Sequence, residues 1–275
     1  MVARAVVGEF PPLALSFARW ALAFALLLPF VWRGLPAALR AVRGQWGLMA
    51  VLSALGVGCY NSLQYLALQT STAVNTTLIG ASGPVMTLLT GAAFFATPVR
   101  GAQWLGAALS LAGVLLVIAR GDAMNIARLQ LDRGDLIMLV ATLTWAIYTW
   151  LLRTRRPPIA AAPFLALQIA LGALMILPFA VAEYLWSGQL PTPTAGNLWA
   201  LLYVALFPSL AAYFCWDRGV ARAGAILPMY FVNLTPVFAG VLSYAVLGES
   251  IGLHHVLGGA LILAGIHLAG RQRGP

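Results

Sequence analysis

Gly106-Ala107-Ala108-Leu109-Ser110-Leu111-Ala112-Gly113 returns 152 residues later as Gly258-Gly259-Ala260-Leu261-Ile262-Leu263-Ala264-Gly265, with six identities in eight positions. The same shift lays Pro84 on Pro236, and a shift of 149 lays Arg4 on Arg153 and Pro29-Phe30 on Pro178-Phe179. One short insertion accounts for the difference. Self-similarity at this distance means that one unit has been used twice. The chain therefore divides into residues 1–119, a polar connection at 120–134 carrying Asp122, Arg128, Asp132 and Arg133, and a second copy at 135–275.

Composition says what solvent these units fold in. Apolar residues make up 61% of the 275 and charged ones only 8%, too few to coat a water-soluble globule. Uncharged stretches such as 44–99, 101–119, 157–182 and 184–216 each hold one or two membrane spans of roughly 20 residues. Charges and Pro/Gly clusters mark nine spans, at about 12–32, 46–69, 72–95, 101–119, 135–152, 160–186, 197–217, 224–247 and 251–269, after a short apolar piece, Met1–Gly8. Residues 135–149, which open the second copy, have no counterpart ahead of Met1. The expected fold is thus an all-α membrane protein, a ten-helix bundle of five plus five spans, with the first helix mostly missing.

Five spans per copy turn the second copy upside down relative to the first. Charge tests this independently, because arginines gather on the cytoplasmic side. With residues 33–45 placed there, that side collects Arg33, Arg40, Arg43, Arg100, Arg153, Arg155, Arg156, Arg218, Arg222, Arg271 and Arg273, eleven of the sixteen basic residues. Arg4, Arg120, Arg128 and Arg133 fall outside, with six of the seven acids. A multi-pass protein of a bacterial inner membrane, its C-terminus cytoplasmic, is the expectation. The net charge of +9 does not indicate a nucleic-acid partner, since the arginines sit singly or in threes between spans and form no basic stripe. Cys59 and Cys215 lie within apolar spans, where buried packing is expected and a disulfide is not.

A pathway between inverted halves meets polar groups near mid-span. Tyr60, Asn61 and Gln64 form such a cluster, and Tyr213, Trp216 and Asp217 answer it in the second copy. Asn75 and Ser82, with Tyr230 and Asn233 opposite, are further candidates, as are the aromatic Trp145 and Tyr148. Hydrogen bonding between helices is the competing use for each single Asn, Ser or Thr. Trp20, Trp32, Trp46, Trp104, Trp186 and Trp199, near span ends, suit an interfacial belt. Pro29, Pro84, Pro178 and Pro236 recur at equivalent places and are expected to act as hinges, each removing a backbone donor. Arg19 is the one base well inside apolar sequence; it binds either a substrate carboxylate or helix carbonyls. No acid sits mid-span to relay protons, although Asp217, near a span end, leaves antiport open. The absence of lysine removes a P-loop, and the histidines His254, His255 and His267 lack neighbours at metal-ligand spacing. No catalytic constellation, metal or cofactor is expected.

The two-fold five-span repeat, the Arg19 span, Pro84 and Pro236, Leu247-Gly248-Glu249, and the paired endings Leu109–Gly113 and Leu261–Gly265 together resemble the EamA-type branch of the drug/metabolite transporter superfamily. The resemblance covers essentially the whole chain. The opening Met1-Val2-Ala3-Arg4 and the aromatic content are similar to exporters of aromatic amino acids within it. It implies a basket of ten helices around a central cavity for amino acids or related metabolites, worked by proline-assisted alternating access. Two departures stand out: Thr97 where the second copy has Glu249, and the truncated first helix, which would line the pathway opposite Trp145 and Tyr148. The expected function is export of amino acids, aromatic and apolar ones favoured, by a monomer in membrane lipid with a small-molecule substrate. The alternative is a membrane-embedded sensor or enzyme that binds a metabolite without passing it.

Overall fold

The computed structural model describes residues 11–119, 132–189, 194–247 and 252–270. Arg4, Glu9, most of the 120–134 connection, Glu249, Arg271 and Arg273 lie outside them. In lipid each backbone polar group must pair within its own segment, so apolar spans become helices. They are α1 (Pro12–Val31), α2 (Leu35–Ala41), α3 (Trp46–Ser53), α4 (Tyr60–Thr70), α5 (Ala73–Gly80), α6 (Gly83–Phe94), α7 (Gly101–Ile118), α8 (Arg133–Arg155), α9 (Ala161–Ser187), α10 (Ala195–Val204), α11 (Ala212–Ala223), α12 (Ile226–Val232), α13 (Thr235–Leu247) and α14 (Leu253–Gly270). Two π-helical segments, π1 (Ala54–Cys59) and π2 (Ala205–Ala211), join α3 to α4 and α10 to α11. Among the described residues eight helices are long and apolar enough to cross a membrane, and α12–α13 forms a ninth apolar stretch with a break. The expected span 197–217 is too short: the helix runs on to Ala223, where Gly224 at φ 77° ends it. The short helix α2 was not anticipated; Pro36 in its first turn, where a missing N–H costs nothing, lets it start.

The inverted repeat is visible in which residues touch. Gly106 packs on Gly265 and Gly113 on Gly258, so a Cβ added at Gly106 would lie 2.7 Å from the Gly265 carbonyl oxygen and one at Gly113 2.5 Å from that of Gly258. These are one contact seen from both copies, because Gly258 and Gly265 are the repeat equivalents of Gly106 and Gly113. α1 and α9 cross in the same reciprocal way. Glu183 accepts the Leu13 and Ala14 N–H groups at 3.0 and 2.9 Å, and Gly34, its equivalent, packs against Pro163, the equivalent of Ala14. Glu183 thereby places a carboxylate on the orphan donors of the α1 N-terminus. Two residues meet their own equivalents directly: the Asn61 side chain donates to Tyr213 Oη at 2.8 Å, and Asn233 Nδ2 donates to the Ala81 carbonyl at 3.2 Å. Both pairs therefore lie on the pseudo-two-fold axis.

Pro84 sits in the first turn of α6 and Pro236 in the first turn of α13, each just after a break, at Ala81–Ser82 and Asn233–Leu234. There the ring costs no hydrogen bond, so these two prolines start helices instead of kinking them. Pro29 and Pro178 lie inside α1 and α9. Arg100, Arg153, Gly224 and Gly270 line a common cleft at one end of the bundle, and Arg156 pairs with Asp217. Asp132, Asp135 and Glu183 belong to the opposite ends of their spans. Phe30, Leu185 and Trp186 stand outward, 86, 76 and 94% exposed, as a lipid-facing surface requires. Trp20 corrects the belt expectation: it is fully buried mid-helix, edge-on to Tyr213 at 4.9 Å. Cys215 is exposed and Cys59 half-buried, and neither is bridged.

Candidate functional site

A cavity of about 1020 Å3 lies beside the Asn61–Tyr213 pair. Its inner wall is built where α4 leaves π1 and where α11 leaves π2, the equivalent places of the two copies. A π turn widens the helix and releases carbonyls from the regular ladder. Gly56 in π1 and Pro208 in π2 are repeat equivalents, and the carbonyl of each is taken from the other copy. Tyr213 Oη donates to Gly56 O at 2.5 Å, and Arg19 Nη2 donates to Pro208 O at 2.9 Å. The two widened turns are thus laced across the axis.

Trp145, midway along α8, is the hub of the aromatic wall. Its ring centroid lies 4.7 Å from Tyr60, 5.0 Å from Tyr148, 5.4 Å from Tyr213 and 5.1 Å from Trp216. These tilted and edge-on contacts lie within the centroid distances of favourable aromatic pairs. Arg19 is buried at the wall. Its Nε donates to Ser209 Oγ at 2.5 Å, and Nη1 to Asn61 Oδ1 at 2.8 Å and Tyr65 Oη at 3.0 Å. The far flank is different in kind: Tyr203, Phe238 and Leu242 line the cavity while being 48, 61 and 62% exposed, so it is apolar and open to the outside of the bundle.

Of the residues expected to bind substrate, Tyr60, Asn61, Gln64, Trp145, Tyr213 and Trp216 line this cavity, as does Arg19. The others are placed elsewhere. Asn75 Nδ2 donates to Asp135 Oδ2 at 3.0 Å, next to a short Ser71–Asp135 hydrogen bond that ties α5 to the start of α8. Ser82 closes its own turn on Ile79 O at 2.6 Å. Asn233 holds Ala81 O and Ser110 Oγ, pinning the two helix breaks together. Tyr148 is buried behind Trp145 against Gly56, where a Cβ would meet its ring at 2.7 Å. Asp217 is paired with Arg156, Nε to Oδ1 at 2.8 Å, and so is no free carboxylate. Tyr65, Ser209 and Pro208 were missed as site residues; the signal was available, since Gly56 and Pro208, both poor helix formers, align at the shift of 152.

The profile of the EamA-like transporter family matches residues 1–119 and 132–271. The chain belongs to the EamA-like transporter family. Relatives of this EamA-like chain include an uncharacterized transporter of Archaeoglobus fulgidus, 29% identical over 94% of this chain and 88% of the relative. The uncharacterized transporter YyaM of Bacillus subtilis is 27% identical over 96% and 86%. A solved crystal structure superposes with a TM-score of 0.76 at 20% identity, covering 98% of this chain and 92% of its own, so the two share a fold. The protein is accordingly a multi-pass membrane protein of a transporter family, and its helices are those of an inverted-repeat bundle.

Proposed function

We propose that this transporter exports amino acids, aromatic and apolar ones favoured, from the cytoplasm of a bacterium by alternating access. The observation that carries the reading is the position of the cavity. It lies beside the axis relating the two copies, so rocking one copy against the other exchanges the side from which it is reached. Its wall of Tyr60, Trp145, Tyr213 and Trp216 suits a flat or apolar side chain. The arginine-rich face, which also holds the end of α14, is the cytoplasmic one under the positive-inside rule.

The test is flux of radiolabelled phenylalanine, leucine and lysine in proteoliposomes containing the whole chain, with and without a pH gradient. Phenylalanine is expected to move fastest and to equilibrate without the gradient, because the cavity has no free carboxylate among the described residues. Saturable binding with no flux of any compound would favour a membrane-embedded sensor instead.

A further inference from the structure

The two copies do the same structural task with different side chains at one place. Gln168 of α9 is the repeat equivalent of Arg19 of α1. Gln168 Nε2 donates to Leu52 O at 3.2 Å, at the entry to π1. The equivalent acceptor at π2 is Val204 O. There Ser209 Oγ donates to it at 2.8 Å, and Arg19 Nε donates to Ser209 Oγ. A neutral amide therefore suffices to tie the outer helix to the widened turn. The positive charge of Arg19 exceeds what that task needs.

Among the described residues, that charge has no counterion within its own wall. Its four hydrogen bonds go to the Ser209 and Tyr65 hydroxyls, the Asn61 amide oxygen and the Pro208 carbonyl, all neutral. The ion pair among the described residues is elsewhere, at Arg156–Asp217. The Trp20 ring, 4.8 Å from the guanidinium carbon, supplies only the weak attraction of a π-face. A buried cation in a membrane span is expensive and normally finds an anion or water. Arg19 also borders the cavity, and its four bonds hold the guanidinium rigid, which lowers the cost of docking a ligand group on it.

We propose that Arg19 anchors a carboxylate of the compound held in the cavity, so that cargo must carry one. This rests on the transport reading above. Whole protein is compared with R19Q, which installs the side chain that the other copy already uses, and with R19K. The probes are phenylalanine, 3-phenylpropionate and phenylalaninamide, each followed by proteoliposome flux and by calorimetric binding in detergent.

Unaltered protein is expected to bind and move the two carboxylates and not the amide. R19Q should weaken carboxylate binding by about 100-fold, the scale for losing one member of a buried charge pair, while R19K recovers part of it. Equal handling of phenylalanine and phenylalaninamide by unaltered protein overturns the proposal, and that comparison needs no variant to fold. Carboxylate-selective binding without flux of any probe leaves the anchor standing and overturns transport. Flux that ignores the carboxylate does the reverse.

Discussion

Where α7 crosses α14, the chain meets its repeat image through bare glycine backbones; where α4 meets α11, it does so through hydrogen-bonded side chains beside a cavity. At the first crossing, contact is set by van der Waals distances along small residues, the close approach that lets helices associate in lipid. At the second, two π turns adjoin the crossing, and Asn61, Tyr213 and Arg19 join the helices with polar bonds. A dry seam resists sliding because any shift makes clashes. A hydrogen-bonded seam exchanges partners at small cost. Under the proposed alternating access, α7–α14 would be the fixed joint and the π-turn crossing the working one.

The sharpest way to break this contrast is to spoil the dry seam. In Gly113→Leu the new Cβ would sit 2.5 Å from the Gly258 carbonyl and 2.8 Å from Ile262 Cγ1, with backbone on one side and a buried side chain on the other. Overpacking of this kind costs about 3 kcal/mol or more. The variant is expected to lose its monodisperse size-exclusion peak, and a wild-type melting temperature would show that the crossing is not close-packed.

Tyr213→Phe acts on the other seam with a smaller effect. It leaves Gly56 O and Asn61 Nδ2 without their partner and should destabilise by about 1 kcal/mol, near the usual value for a hydrogen bond between membrane helices. Flux should fall more than stability does, since the lost hydroxyl laces the two π turns. Equal loss of both would make the seam purely structural. Smallest is Glu183→Gln, away from both seams. It removes the charge from the α1 N-terminus and should lower stability by roughly 0.5 kcal/mol, an effect that added salt diminishes. A salt-independent loss would point to packing.

Repetition and the apolar spans were legible in the residues, because uncharged stretches of about 20 residues pair their backbone in lipid as helices and an eight-residue echo such as Gly106–Gly113 and Gly258–Gly265 marks the equivalent places. The apolar stretches also said which side chains must avoid lipid. They could not say where each turns instead. Asn61 and Asn75 are both buried asparagines in the first copy, yet one borders the cavity and the other holds Asp135. That choice depends on helix rotation and on which neighbour offers a partner. Pro84 was equally visible, but whether it kinks a helix or begins one follows from the break at Ala81–Ser82. The wider turns at Gly56 and Pro208 and the neutral company of Arg19 belong to tertiary structure alone, since they arise where one copy supplies hydrogen-bond donors to the other across the axis.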